Sequence, residues 1–275
     1  MRRSRLFASA FMVPVLAMAQ APPVPEDQGA DILSAPKEFH DFVVKATLPY
    51  NTWQSKTDGL ARRIFAKPED GGLGIVYAND KTRTVAEVWR DRKANCISLT
   101  AFYAAACKFL GVPVRFAEAP SISLWVRHGD LIYNELHVVA AIPINMLNTV
   151  VADFSPETHL GAIHIRPISE ARFRAMFHSN RAVELLQSDG PEAAIPEAEA
   201  ALRDDPQSGI GWNTYGVIQQ DMGHQARAEE AFLRAIQIDP KGGIACGNLE
   251  GLYRSVGRTE DADRYRALGL VLRDR

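Results

Sequence analysis

The chain has only 3 cysteines in 275 residues, too few to staple a disulfide scaffold and at spacings that fit neither a zinc ribbon nor a CxxC redox pair. Beyond its first five positions it has no cluster of Lys and Arg, and 31 basic against 33 acidic residues leave a formal charge of −2. That balance lacks the electrostatic footprint of a nucleic-acid binder, so no nucleic-acid partner is expected. No apolar run reaches the roughly 20 residues that span a bilayer. The glycines of Gly71-Gly72-Leu73-Gly74 have no following Lys-Ser/Thr pair and read as a loop, not a phosphate cradle. His159 and His164 stand five apart, which misses the spacing that stacks two ligands on one helix face. Neither a metal site nor a cofactor is expected. What remains, 47% hydrophobic and 23% charged residues, is the composition of an ordinary globular protein with length enough for two domains.

At the amino terminus Arg2, Arg3 and Arg5 precede an apolar run from Leu6 to Ala19 that closes on Ala-Met-Ala. This is the plan of a cleavable secretory signal over residues 1–19, its apolar run too short for an anchor. Cleavage is expected after Ala19, and loss of the three arginines takes the formal charge from −2 to −5. The expected destination is the periplasm or the exterior, with no stable membrane insertion after cleavage. Residues 20–39, opening QAPPVPEDQGA, read as a Pro-rich linker without fixed structure.

Two textures follow. Residues 40–167 mix one strong helical pattern with β-branched and aromatic runs, which predicts an α+β domain, whereas from 168 to 275 Ala, Glu, Arg and Leu recur at helical spacing. In that second region Asp205-Pro206 and Asp239-Pro240 lie 34 residues apart, and Ala194, Ala228 and Ala262 repeat at the same interval. Residues 209–242 set Trp212, Tyr215, Gly216, Ala228, Phe232, Ala235 and Pro240 in this frame. The pattern resembles the tetratricopeptide repeat, with units at about 175–208, 209–242 and 243–275. The resemblance implies an all-α solenoid of helix pairs, close-packed at Gly216 and Ala228 with Phe232 beside them, that binds a protein partner in its inner groove. Asn180, Asn213 and Asn248 would either hydrogen-bond an extended chain there or cap and pack. Pro167 marks the expected boundary, and the two modules are expected to fold separately.

The chemistry centres on Cys96. CISLTAFYAAACKFL from Cys96 is followed by Gly111-Val112-Pro113, which predicts an apolar helix with a clear stop. Asn95 is its expected cap, so Cys96 falls in the first turn, where unpaired N–H groups and the macrodipole favour a thiolate. Leu99, Phe102, Tyr103, Ala106 and Phe109 would face the core. Cys107 and Cys246 read as buried packing residues, with a disulfide between them left open. Three β-like runs follow, from Val114, Ile122 and Leu131, the last two joined at Gly129-Asp130 as a hairpin. The third run, LIYNELHVVAAI, carries His137; a fourth, TVVADF, carries Asp153. Trp89 reads as a core anchor or as a wall of a cleft.

Ala94-Asn95-Cys96-Ile97-Ser98-Leu99, His137 before two valines, and Val151-Ala152-Asp153-Phe154-Ser155-Pro156 resemble, in this order, the three motifs of the transglutaminase-like superfamily over about residues 57–157. Ala94 stands where the family often has Gly, and Val139 where it often has an aromatic. The resemblance implies a papain-like core in which Cys96 is the nucleophile, His137 the base and Asp153 its orienter. It implies a cysteine peptidase or acyltransferase acting on an amide of a protein or peptide, by hydrolysis or by acyl transfer. The calcium used by some relatives has no recognisable acidic loop here. The alternative reading is a catalytically inactive scaffold that assembles envelope proteins through its repeats.

Overall fold

The computed structural model describes residues 31–119, 124–128, 131–135, 137–143, 148–154, 164–240 and 243–273; the leader lies outside them. Order begins earlier than the linker reading allows. Ile32 is buried in the first core, Asp31 pairs with Arg174 at 2.6 Å, and helix α1 runs over Lys37–Thr47 with Phe39 and Val43 buried. Residues 31–39 of the expected linker are therefore structured, because Ile32 and Phe39 have apolar partners in the core.

Helix α2 spans Trp53–Phe65, opened by a Thr52–Ser55 capping box, and a short β1 at Val76–Tyr77 follows. Helix α3, Val85–Asp91, starts from a second box in which Thr84 Oγ1 accepts from Glu87 N and the Glu87 carboxylate accepts from Thr84 N. Such reciprocal caps satisfy two donors that a helix start leaves open. β2, Lys93–Ala94, pairs in parallel with β1 and leads into α4, Cys96–Phe109. That helix is buried from Ile97 to Cys107, as an all-round apolar helix should be. Phe109 is the exception to the expected core face, being exposed and stacked on His40 at 4.4 Å.

β3 (Arg115–Glu118), β4 (Leu124–His128), β5 (Leu131–Glu135), β6 (Val138–Pro143), β7 (Thr149–Ala152) and β8 (Arg166–Ile168) form two units. One is an antiparallel sheet ordered β7-β6-β3-β8; the other is the β4-β5 hairpin. The run from Leu131 is thus not one strand. It breaks between Glu135 and Val138, and its halves join different sheets. Val138, Ala140 and Ile142 face α4, whose Thr100 Oγ1 donates to Val138 O at 3.1 Å, while Ala117, Val139 and Ala141 cluster on the other face.

Three antiparallel helix pairs complete the chain: α5 (Glu170–Ser188) with α6 (Pro191–Asp204), α7 (Gly209–Asp221) with α8 (Gln225–Ile238), and α9 (Ile244–Ser255) with α10 (Thr259–Arg273). The second helices of the pairs start 34 residues apart, at Pro191, Gln225 and Thr259, the interval of the sequence repeat. A Cβ on Gly216 would stand 2.7 Å from the Phe232 ring, so the small residue is what lets α7 and α8 approach. Asn213 and Asn248 do not line an open groove. Both are buried, and Asn248 Nδ2 donates to Asn213 Oδ1 at 2.9 Å across α7 and α9, whereas Asn180 is exposed.

The expected boundary at 167/168 falls inside β8. Phe173, Met176 and Phe177 of α5 complete the first core, with Phe173 stacked on Phe116 at 4.0 Å, while Ala182 of the same helix belongs to the core of the repeats. One helix thus contributes side chains to both cores. Among the described residues no helix is long and apolar enough to cross a membrane.

Candidate active site

Asn95 holds the start of α4 with both ends of its side chain. Its Oδ1 accepts from Ser98 N at 3.0 Å, which makes it the N-cap, and its Nδ2 donates to Thr82 Oγ1 at 2.9 Å. Cys96 is therefore fixed in the first turn, where its N–H has no acceptor within the helix. It is partly exposed, whereas Cys107 and Cys246 are buried free thiols lying in different cores, Cys107 in the first and Cys246 among the repeats. Burial pushes Cys107 up to about 12, against a hydrogen bond with Tyr103, and pushes Cys246 up to about 11. Neither is poised to ionise near neutral pH.

His137 and Asp153 come together through strand pairing. β6 and β7 pair with Ala140 opposite Ala152, so the chain entering β6 and the chain leaving β7 lie at one end of the sheet. There His137 Nε2 and Asp153 Oδ1 are 2.8 Å apart, with both side chains nearly buried. Phe154 anchors the acid's segment by packing on Phe65 and on Tyr103, at 5.8 and 5.2 Å between ring centres.

The Cys96 side chain meets the same imidazole. With Nε2 turned to Asp153, Nδ1 is the nitrogen left for sulfur. Burial opposes protonation of the ring, but hydrogen bonds to Asp153 and Cys96 and the charges of both outweigh it, pushing His137 up to about 9. A ring so placed is protonated at neutral pH. The three residues singled out in the sequence thus share one site, although they come from a helix start and from two strand ends.

Two further residues of the site carry no signal in the sequence. Thr82 is fully buried, and its N–H and hydroxyl both donate to the Glu184 carboxylate, at 2.8 and 2.9 Å and at 2.6 Å. Glu184 lies on α5, 102 positions away, and no local pattern connects the two. Nearby, Arg83 N donates to Ser98 Oγ at 2.7 Å. Arg83 itself is held by Asp80 and Asp91, at 2.9 and 3.1 Å. Trp89 is a core anchor: it packs edge-on against Phe39 and carries the Arg92 guanidinium on its face, 4.1 Å from the ring centre. Asp130 and His159 lie outside the described residues. Among the described residues no group of three or more His, Cys, Asp or Glu side chains is arranged to hold a metal ion.

No protein-family model matches the chain, and no curated protein sequence matches it. Among solved structures it is similar to MamA, at 20% identity and a TM-score of 0.35 over 38% of this chain and 61% of that one. A second MamA structure gives 20% identity and 0.34 over 38% of this chain and 57% of that one. The second TPR of Spaghetti (RPAP3), bound to the HSP90 peptide SRMEEVD, gives 16% identity and 0.34 over 36% of this chain and 92% of that one. The chain thus spans less than two thirds of either MamA chain.

Proposed function

We propose that the α+β unit is a transglutaminase-like cysteine enzyme acting on an amide of a protein or peptide, and that the helical repeats recruit its partner or substrate. The observation that carries this reading is the single imidazole shared by Cys96 and Asp153, with His137 Nε2 2.8 Å from Asp153 Oδ1 and Cys96 at a capped helix start.

The thiolate of Cys96 attacks the amide carbonyl, and the oxyanion is met by the unpaired N–H of Cys96. The C–N bond breaks as His137 passes its proton to the leaving nitrogen, leaving a thioester on Cys96. Water or a lysine amine then gives its proton to His137 and takes the acyl group, which completes hydrolysis or acyl transfer. Asp153 holds the ring in the tautomer this needs and stabilises its charge. No cofactor enters these steps. The Arg-led, apolar amino terminus supports an exported enzyme, with this chemistry outside the cytoplasm.

The rival reading is a catalytically inactive scaffold, favoured by the share of the chain given to stacked helix pairs. Alkylation by iodoacetamide near neutral pH, mapped by peptide mass, separates the two. The enzyme reading expects Cys96 to react at least 10-fold faster than a thiol in a short unstructured peptide, and His137→Ala to abolish the difference. Equal rates for Cys96 and the peptide thiol favour the scaffold.

A further inference from the structure

The helix that opens the repeats reaches into the start of the Cys96 helix. Asn95 Nδ2 can only donate, so at 2.9 Å it makes Thr82 Oγ1 an acceptor. The one hydroxyl proton of Thr82 is then committed to Glu184 Oε1 at 2.6 Å, and the Thr82 N–H to the same carboxylate. This order of donors fixes which end of the Asn95 amide faces α4: with Nδ2 spent on Thr82, Oδ1 is the atom that caps Ser98 N at 3.0 Å. Thr82 and Asn95 are buried, so water does not substitute for a lost partner at either. Burial also pushes the Glu184 carboxyl up, against the bonds from Thr82 and the charges of Arg181 and Lys81, which favour the carboxylate that accepts both Thr82 donors.

We propose that Glu184, on the first helix of the repeats, is a positioning residue for Cys96: through Thr82 and Asn95 it holds the first turn of α4 in the orientation that keeps the thiol against His137. This inference rests on the enzyme reading above. It assigns the repeats a second task, support of the cap beside the nucleophile. The acceptor oxygens matter here, not the charge alone, so an amide at position 184 still serves while a methyl does not.

The test is the rate of Cys96 alkylation by iodoacetamide as a function of pH, in the full chain, for the parent and for Glu184→Gln, Glu184→Ala, Thr82→Ser and Thr82→Val, each checked for an intact thermal transition. Glu184→Ala and Thr82→Val are expected to slow the reaction by about 3- to 10-fold, the scale of a lost cap, and to move its pH profile toward alkaline values. Glu184→Gln and Thr82→Ser are expected to stay near the parent, a rescue that a purely structural contact would not produce. Should Glu184→Ala disrupt folding, the Thr82 pair decides the matter alone. A fast parent with unchanged rate and profile in Glu184→Ala and Thr82→Val overturns this inference and leaves the enzyme reading standing. A parent no faster than an ordinary peptide thiol removes both.

Discussion

At the scale of the residue, the site depends on how burial and pairing compete at one imidazole. Desolvation alone would keep His137 neutral, yet Asp153 at 2.8 Å and the Cys96 side chain raise it from 6.5 to about 9. Folding therefore favours the protonated ring. The resulting stabilisation is complete below about pH 6.5 and is lost as pH rises through about 9; a shift of this size corresponds to on the order of 3 kcal/mol. A carbon-13 titration of the histidine rings is expected to show one midpoint near 9 that disappears in His137→Ala. In Asp153→Asn the midpoint should fall toward the ordinary value, with turnover down by about 10²-fold and the fold intact. A His137 midpoint near 6.5 in the parent would remove the charge pair from the account. Cys96 and the cap at Asn95 are local features and could be read from the chain alone, whereas His137 and Asp153 carried a signal only as motifs in a set order. Thr82 and Glu184 carried none, since their contact joins positions 102 apart and neither belongs to a motif.

At the scale of the element, the repeats show how one small residue sets a helix crossing. Gly216 faces Phe232, whose ring would lie 2.7 Å from an added Cβ, whereas Gly251 on α9 has nothing within 4 Å. The same substitution should then have opposite signs. Gly216→Ala is expected to lower stability by about 1–3 kcal/mol, because overpacking against a buried ring outweighs the gain in helix propensity. Gly251→Ala should raise it by about 0.5–1 kcal/mol. Urea unfolding of both variants checks the pair, and equal shifts in one direction would contradict the packing argument. The other units keep a different pairing: Ala182 and Ala198 stand at the equivalent positions of the first, and Glu250 and Arg266 in the third. The third unit thus lacks both the small residue and the ring, and Glu250 pairs with Arg254 at 3.1 Å instead. Helices of this kind announce themselves through period and punctuation. The strands did so less well, because LIYNELHVVAAI has an unbroken β texture while the chain leaves one sheet for another within it. Periodicity reports that a segment is extended and says nothing of which neighbour it pairs with.

At the scale of the whole molecule, α5 is the joint. Its first turns bury Phe173 and Phe177 in the α+β core and its later turns open the helical array. Charged pairs fasten it to the first unit: Arg181 to Glu87 at 3.2 Å, Arg174 to Asp31 at 2.6 Å, Glu170 to Lys108, and Arg172 to the buried Glu118 at 3.7 Å. A fragment of residues 31–167 would leave Phe116 without the ring stacked on it and Thr82 without Glu184. It is expected to lack a cooperative thermal transition, while a fragment of residues 31–190, which keeps α5 whole, is expected to retain one. Circular dichroism melts of the two fragments decide this, and a sharp transition in the shorter one would mean that the α+β core is complete without α5. The division into a mixed unit and a helical unit was readable from composition and period. The sharing of α5 was not, because its apolar residues follow one continuous helical pattern, and only the packed structure shows them entering two cores.

As the proposed nucleophile, Cys96 supported by His137 should accept an acyl group. Intact-mass and peptide-mass measurement after brief exposure to p-nitrophenyl acetate tests it without knowledge of the natural substrate, since the thiolate needs only an activated carbonyl and p-nitrophenolate as leaving group. A single acetyl group on Cys96 is expected, formed at least about 10²-fold faster than in His137→Ala and absent from that peptide in Cys96→Ala. Acetylation spread over lysines, at the same rate in the parent and in His137→Ala, would contradict it.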